Sequence, residues 1–164
     1  MASHEAFSIT EVTTQADLGE TIRLFEAYVR RLDVDLSFQD FAAEMSNMPG
    51  KYAPPHGALL LARDKAGDAI GCVAMRTLAN DGACEMKRLY VDPRGRGLGM
   101  GKALAEAIVA KAKSLAYRRI RLDTLGEMTA ARTLYKGIGF VEIEPYYRTP
   151  LEGTIFLELQ LQQY

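Results

Sequence analysis

Cysteine is scarce in this chain of 164 residues, occurring at Cys72 and Cys84 only. Both lie in strand-like apolar runs. If Asn80 and Asp81 centre a tight hairpin, Cys84 falls opposite Thr77 and not opposite Cys72. A disulfide is then not expected, and two buried, reduced thiols fit a cytoplasmic protein. Histidine is as rare, at His4 and His56. Their spacing forms no recognisable metal site, so no metal is expected. Apolar runs stay below the about 18 residues that mark a membrane helix. Met1 to Glu5 lacks the basic and apolar regions of a secretory leader. An excess of either charge is missing too: 20 Lys and Arg face 21 Asp and Glu, for a net charge of −1. That leaves no general field for nucleic acid or an anionic membrane. Repeats, low-complexity segments and linkers are absent, so residues 1–164 are expected to form a single domain.

Glycine, by contrast, is concentrated. Gly95, Gly97, Gly99 and Gly101 alternate with Arg96 and other residues between Val91 and Leu104, and Lys87, Arg88, Arg94, Arg96 and Lys102 surround them. An apolar run, Leu89-Tyr90-Val91, enters this stretch and an amphipathic helical pattern leaves it. Glycine lets backbone N–H groups approach a ligand closely, and a helix start adds unpaired donors and a positive dipole end. Such a loop suits a phosphate; the plainer reading is a flexible strand-to-helix turn. Two familiar phosphate loops fail on spacing. For GxGxxG the third glycine would fall on Met100 or on Lys102. For GxxxxGK[ST] the first glycine would fall on Arg96, and Ala103 stands where the magnesium-holding hydroxyl should be. A nucleotide-binding enzyme is therefore disfavoured.

The remaining pattern places the elements. Phe7 to Val12 alternates as a strand. Leu18, Ile22, Phe25, Val29 and Leu32 form one helical face. Ser37 and Asp40 make a variant capping box before a short stripe of Phe38, Phe41, Met45 and Met48. Pro49-Gly50 ends that helix, and Pro54-Pro55 is expected to keep the chain extended. Ala58–Ala62 and Ile70–Met75 read as strands around a turn at Asp64–Asp68, and Cys84 to Val91 as the strand feeding the glycines. A helix carries Leu104, Ala107, Ile108, Ala112 and Leu115. Arg119–Leu125 is a strand, parallel to the one before the loop because a helix crosses between them. Thr129 is expected to cap a helix with Ala131, Leu134, Tyr135 and Ile138 inward. Phe140–Ile143 and the alternating Ile155, Leu157, Leu159 and Leu161 close the chain as strands. The fold class is α/β (α+β): a mixed, mostly antiparallel sheet with one parallel crossover and flanking helices.

Arg96-x-x-Gly99-x-Gly101 resembles the acyl-coenzyme A pyrophosphate loop of the GNAT N-acetyltransferase superfamily, [QR]-x-x-G-x-[GA]. Arg94-x-x-Gly97-x-Gly99 matches as well. The later register is favoured because Pro93 then stands three residues before the arginine and Leu104 falls on the apolar stripe of the helix. The element order also resembles the GNAT fold, and Ala131-x-x-Leu134-Tyr135-x-x-x-Gly139-Phe140 is similar to the family's A-x-x-L-Y-x-x-x-G-F. The likeness is strong from Cys84 to Phe140 and only topological outside.

The resemblance implies acetyl-CoA as acyl donor, with CoA as product. Backbone N–H groups of Gly97, Leu98, Gly99, Met100 and Gly101 would hold its pyrophosphate. Arg94, Arg96 and Lys102 would add charge, unless they are simply solvated. Leu89, Tyr90 and Val91 would run beside the pantetheine arm. A bulge would splay their strand, turning the Leu89 N–H to the thioester carbonyl as oxyanion donor. Glu85, eleven residues before Arg96, matches a general base of the histone-acetylating branch; the structural alternative is a pair with Lys87 or Arg88. Tyr135 would protonate the departing thiolate, or else pack as an amphipathic core residue. Met128 stands where the family often has a coenzyme-contacting Asn. The acceptor, a small-molecule or peptide amine, is not identified. Tyr146, Tyr147 and Arg148 would line or cover its site, and Asp33 and Asp35 would attract a cationic amine. The expected function is N-acetyl transfer by direct attack. The rival from another class is a non-catalytic acyl-CoA sensor or interaction module. Oligomeric state is left open, a homodimer included.

Overall fold

Alternation sets the first edge of the sheet. In β1 (Phe7–Glu11), Phe7 and Ile9 are buried and their neighbours half-exposed. The structure, a computed structural model, describes residues 6–32, 40–78 and 81–161. Strands β2 (Ala58–Asp64) and β3 (Ala69–Thr77) are apolar on both faces, as strands covered on both sides must be. Asp64 Oδ1 accepts the N–H groups of Ala66 and Asp68 and shapes the turn between them. β4 (Ala83–Val91) returns antiparallel with Thr77 opposite Cys84, as the hairpin reading requires. Both cysteines are free and buried.

α3 (Met100–Ser114) then crosses to β5 (Arg119–Leu125), which pairs parallel with β4. α4 (Thr129–Ile138) stops at Gly139, whose φ of 117° supplies the left-handed cap. β6 (Val141–Ile143) and β7 (Thr154–Gln160) complete a seven-stranded sheet in the order β1-β2-β3-β4-β5-β7-β6. β4–β5 is its one parallel pair.

Two hydrophobic clusters cover the two faces. α3 and α4 pack on one, through Leu104, Ile108, Ala112 and Tyr135. α1 (Gln15–Leu32) and α2 (Phe41–Ser46) pack on the other, with Leu24 and Phe25 beneath Tyr52 and Tyr90. α3 lies so close to β3 that a Cβ on Gly71 would stand 2.8 Å from the Met100 sulfur. Full burial of Leu104 alone contributes about 2 kcal/mol. Among the described residues no helix is long and apolar enough to cross a membrane.

Three local expectations are corrected, and a fourth lies partly outside the described residues. The buried stripe of α1 runs through Thr21, Leu24 and Phe25, not through Ile22. Thr21 tolerates full burial because its hydroxyl donates to the Asp17 carbonyl at 2.8 Å. Pro54–His56 form a turn, not an extended run, after a 3-10 turn at Gly50–Tyr52. α4 is entered through Met128 with no side-chain cap, Thr129 being its first residue. Asp40 precedes α2 without a side-chain cap, and Ser37 lies outside the described residues.

Candidate active site

β4 and β5 part company halfway. They pair only from Ala83 with Arg119 to Glu85 with Arg121, whereas β5 stays paired to β7 as far as Leu125. The cause lies in β4. Its register against β3 shifts between Cys72 and Ala74, and Arg88 adopts a φ of 60°. This is a bulge, which bends a strand and ends its pairing. A non-glycine residue in that conformation needs support. Arg88 has it: its guanidinium is buried, reaches Glu44 at 3.2 and 3.3 Å, and lies over the Phe41 ring.

Beyond the bulge, Asp92 N–H donates to the Ile70 carbonyl at 2.8 Å and fixes the phase of the ladder. Alternate residues of an antiparallel strand bond to opposite sides. Tyr90 and Asp92 therefore turn their backbone toward β3, and Leu89 and Val91 turn theirs into the wedge. The wedge is a cavity of 740 Å³, walled by β4 from Met86 to Val91, β5 from Leu122 to Leu125, α4, and Tyr28 and Arg31 of α1.

The glycine stretch forms one end. Asp92 accepts the Arg94 N–H at 2.9 Å and caps a 3-10 turn over Pro93–Gly95. Gly97 and Gly99 have φ of 80° and 77°, so the chain turns into α3 where only glycine sits without strain. The first intrahelical bond is Ala103 N–H to the Gly99 carbonyl, which leaves the N–H groups of Met100, Gly101 and Lys102 free of helical partners. Arg96 and Gly101 line the cavity, and Arg96 reaches the Val91 carbonyl at 3.4 Å. Arg94 does not line it; it is held outside by Asp92 and Asp68. Gly97, Leu98, Gly99 and Lys102 are exposed on the turn, and Met100 is buried beneath it.

Tyr135 reaches the cavity from α4, with its ring edge-on to Phe140. Its hydroxyl makes no hydrogen bond among the described residues, yet it is not sealed off, so it opens to the cleft. Burial pushes this phenol well above its ordinary value, with Tyr28 and Asp123 adding to the effect. Met128 also lines the wall, in sulfur contact with the Thr124 hydroxyl at 3.8 Å.

Glu85 stands elsewhere. It is 1% exposed, at the vertex of the wedge, and outside the cavity lining. Arg76 binds its Oε1 at 2.9 and 3.0 Å, and Tyr146 donates to its Oε2 at 2.7 Å. Arg88, offered by the sequence as a partner, goes to Glu44 instead. Lys87, the other partner the sequence offers, does pair with Oε1, but loosely, at 4.0 Å and beyond hydrogen-bonding range. Tyr147 donates to Asp123 Oδ2. Burial raises both phenols, which keeps them protonated as donors to these carboxylates. The loop after β6 thus holds two acidic groups, and neither tyrosine nor Arg148 lines the cavity. Asp33 and Asp35 lie outside the described residues.

Sequence reasoning missed Lys87 and Asp123 as cleft residues. Continuing the parallel register past Glu85 and Arg121 sets them across the wedge from each other, on the same face. No spacing motif marks them; the β4–β5 register does. The cysteines stay out of the chemistry: burial pushes Cys84 to about 12 and raises Cys72 further, and a thiol so raised is inert.

The sequence and the fold match those of known proteins. Residues 21–140 match the acetyltransferase (GNAT) family. An uncharacterised N-acetyltransferase of Schizosaccharomyces pombe is 40% identical over 95% of this chain and 96% of its own length. An N-acetylaspartate synthetase of Danio rerio is 30% identical over 80% of this chain and half of that protein. A GNAT-family acetyltransferase of Staphylococcus aureus has the same fold, with a TM-score of 0.78 at 22% identity over 96% of this chain and all of that one. A Salmonella typhimurium protein solved with its cofactor acetyl-CoA superposes with a TM-score of 0.69, at 18% identity over 98% and 96% of the two chains. This chain belongs to the GNAT family and is an N-acetyltransferase.

Proposed function

We propose that the chain transfers the acetyl group of acetyl-CoA to a primary amine by direct attack. The observation that carries this reading is the wedge itself: a strand edge, no longer paired to β5 beyond Glu85, that turns the Leu89 and Val91 backbone into the cavity and runs on to the glycine turn and Arg96. The residues fit the coenzyme. Free N–H groups at the start of α3 and the Arg96 guanidinium suit a pyrophosphate. Gly101, with no Cβ, leaves room at the wall, and the unpaired edge of β4 suits an amide-bearing arm. When bound, the coenzyme supplies the activated thioester.

The chain's own residues would do the rest. The Leu89 N–H donates to the carbonyl oxygen where charge develops. The Tyr135 hydroxyl, open to the cleft, gives its proton to the leaving sulfur. Glu85 holds Arg76 and Tyr146 at the vertex and acts as a positioning residue. Asp123, a carboxylate in the cavity wall, is placed to hold the ammonium and accept its proton. No covalent enzyme intermediate is required.

Calorimetry with acetyl-CoA, and thiol release on adding a panel of amines, test this reading. Binding with amine-stimulated release is expected. No binding at millimolar concentration would overturn the reading, and binding with no release by any amine would favour the sensor.

A further inference from the structure

Lys87 is a nearly buried charge in the wedge whose one ion pair, with Glu85, is a loose one. Its side chain is only 10% exposed, yet it lines the cavity. It makes no hydrogen bond among the described residues, and its nearest carboxylate oxygen is 4.0 Å away. That oxygen is already taken by Arg76 at 2.9 Å. An ammonium withdrawn from water without a hydrogen-bonded partner is costly. Since no fully buried side-chain polar atom among the described residues lacks a partner, the Lys87 ammonium is not sealed off and opens to the cavity it lines.

Asp123 faces it across the wedge. The parallel register, continued one pair at a time past Glu85 and Arg121, sets Met86 against Leu122 and Lys87 against Asp123. Met86 and Leu122 point to the α3 and α4 face, so Lys87 and Asp123 share the opposite face. Tyr147 occupies Oδ2 of Asp123 and leaves Oδ1 unpaired among the described residues. A cation with no hydrogen bond and an anion with one oxygen open, among the described residues, therefore flank the opening at which the acyl group would be presented. Arg31 adds a second cation at the mouth.

Resting on the acetyl-transfer reading above, we infer that the acceptor is a small amino acid: an amine and a carboxylate on one molecule, the ammonium held by Asp123 and the carboxylate by Lys87. A polyamine would leave Lys87 facing a further cation. A simple alkylamine would leave it with no anion beyond the distant Glu85 carboxylate. In an amino acid the amine sits next to the carboxylate, which suits two recognition groups on facing strands. The reaction balances without a further co-reactant. The ammonium loses two protons on becoming an amide: Asp123 takes the first, the amine nitrogen then bonds to the acetyl carbon, the carbon–sulfur bond breaks, the thiolate takes a proton from Tyr135, and the second nitrogen proton restores the Tyr135 hydroxyl.

The test is thiol release from acetyl-CoA with matched acceptors: L-amino acids, acidic ones included, their carboxamides, and putrescine. A charge-assisted contact predicts kcat/KM at least about tenfold higher for the acids than for their amides. Lys87→Met should remove that preference mainly through KM, with acetyl-CoA affinity unchanged. Equal or better use of amides or putrescine by the wild type would overturn the inference and leave N-acetyl transfer standing. An unchanged acid-to-amide ratio in folded Lys87→Met would overturn it as well. Silence from every amine, with acetyl-CoA bound, would overturn the transfer reading and this inference together.

Discussion

Tyr146 donates its phenolic proton to Glu85 Oε2 across 2.7 Å, while Arg76 grips the other oxygen of the same carboxylate. A group tied on both oxygens at the closed end of the wedge is built to hold strands and loop together. Glu85→Gln keeps its shape and loses the charge. It should lower stability by about 2 kcal/mol, the scale of a hydrogen bond to a charged group, read by denaturant unfolding. The acidic limb of the kcat/KM profile should persist. Its loss in a folded variant would make Glu85 the base.

Arg94 and Arg96 fit the same loop pattern, but only Arg96 lines the cavity. Arg96→Ala should weaken acetyl-CoA binding about tenfold by calorimetry, as expected for one charge-assisted phosphate contact. Arg94→Ala should leave the affinity within about twofold. The reverse order would restore the earlier register.

Gly99 carries a φ of 77° at the point where the chain turns into α3. Side chains rarely adopt that conformation, and a β-branched one least of all. Gly99→Val should unseat the free N–H groups that follow and abolish detectable coenzyme binding. Circular dichroism should show the helices kept.

Tyr135→Phe removes one hydroxyl and keeps the packing against Phe140. Turnover should fall about a hundredfold, the usual scale for losing a placed acid, with coenzyme affinity nearly unchanged. Burial holds the Tyr135 phenol above its ordinary value of 10. The protonated, donating form therefore persists through neutral pH, and Tyr135 should cause no alkaline decline below pH 10. Stopped-flow turnover against pH reads both effects.

Asp92 caps the 3-10 turn before the glycines, and the Arg94 N–H holds its carboxyl below the usual 3.8. Asp92→Ala should cost about 1 kcal/mol at neutral pH. The sign follows from proton binding. The unfolded chain takes up a proton at higher pH than the folded one, so the Asp92 contribution is complete above 3.8 and is lost as pH falls through the folded value. Wild type and variant should converge in urea melts in strong acid.

Element order was legible because apolar period separates strands from helices so clearly here. The face of α1 was harder, since Thr21 buries its hydroxyl by bonding its own helix. The hairpin that set Thr77 against Cys84 already implied Arg76 against Glu85, one pair inward. That partner was readable, though Lys87 and Arg88 were nearer in sequence. Lys87 and Asp123 were different. A fifteen-residue helix separates their strands and leaves the parallel register free, so only the assembled sheet brings the two together.

Three residues of β3, Cys72 to Ala74, span the same distance as four of β4, Lys87 to Tyr90. That surplus of one reverses the odd-even phase of the strand, so Lys87 and Tyr90 share a face despite their odd separation. The half of the site that meets the acceptor and the half that leads to the glycines are thus offset by half a pleat. A deletion of one residue near Arg88 would restore the phase and exchange the faces of everything from Leu89 to the turn. Segment length here constrains the protein more tightly than the identity of the residues that fill it.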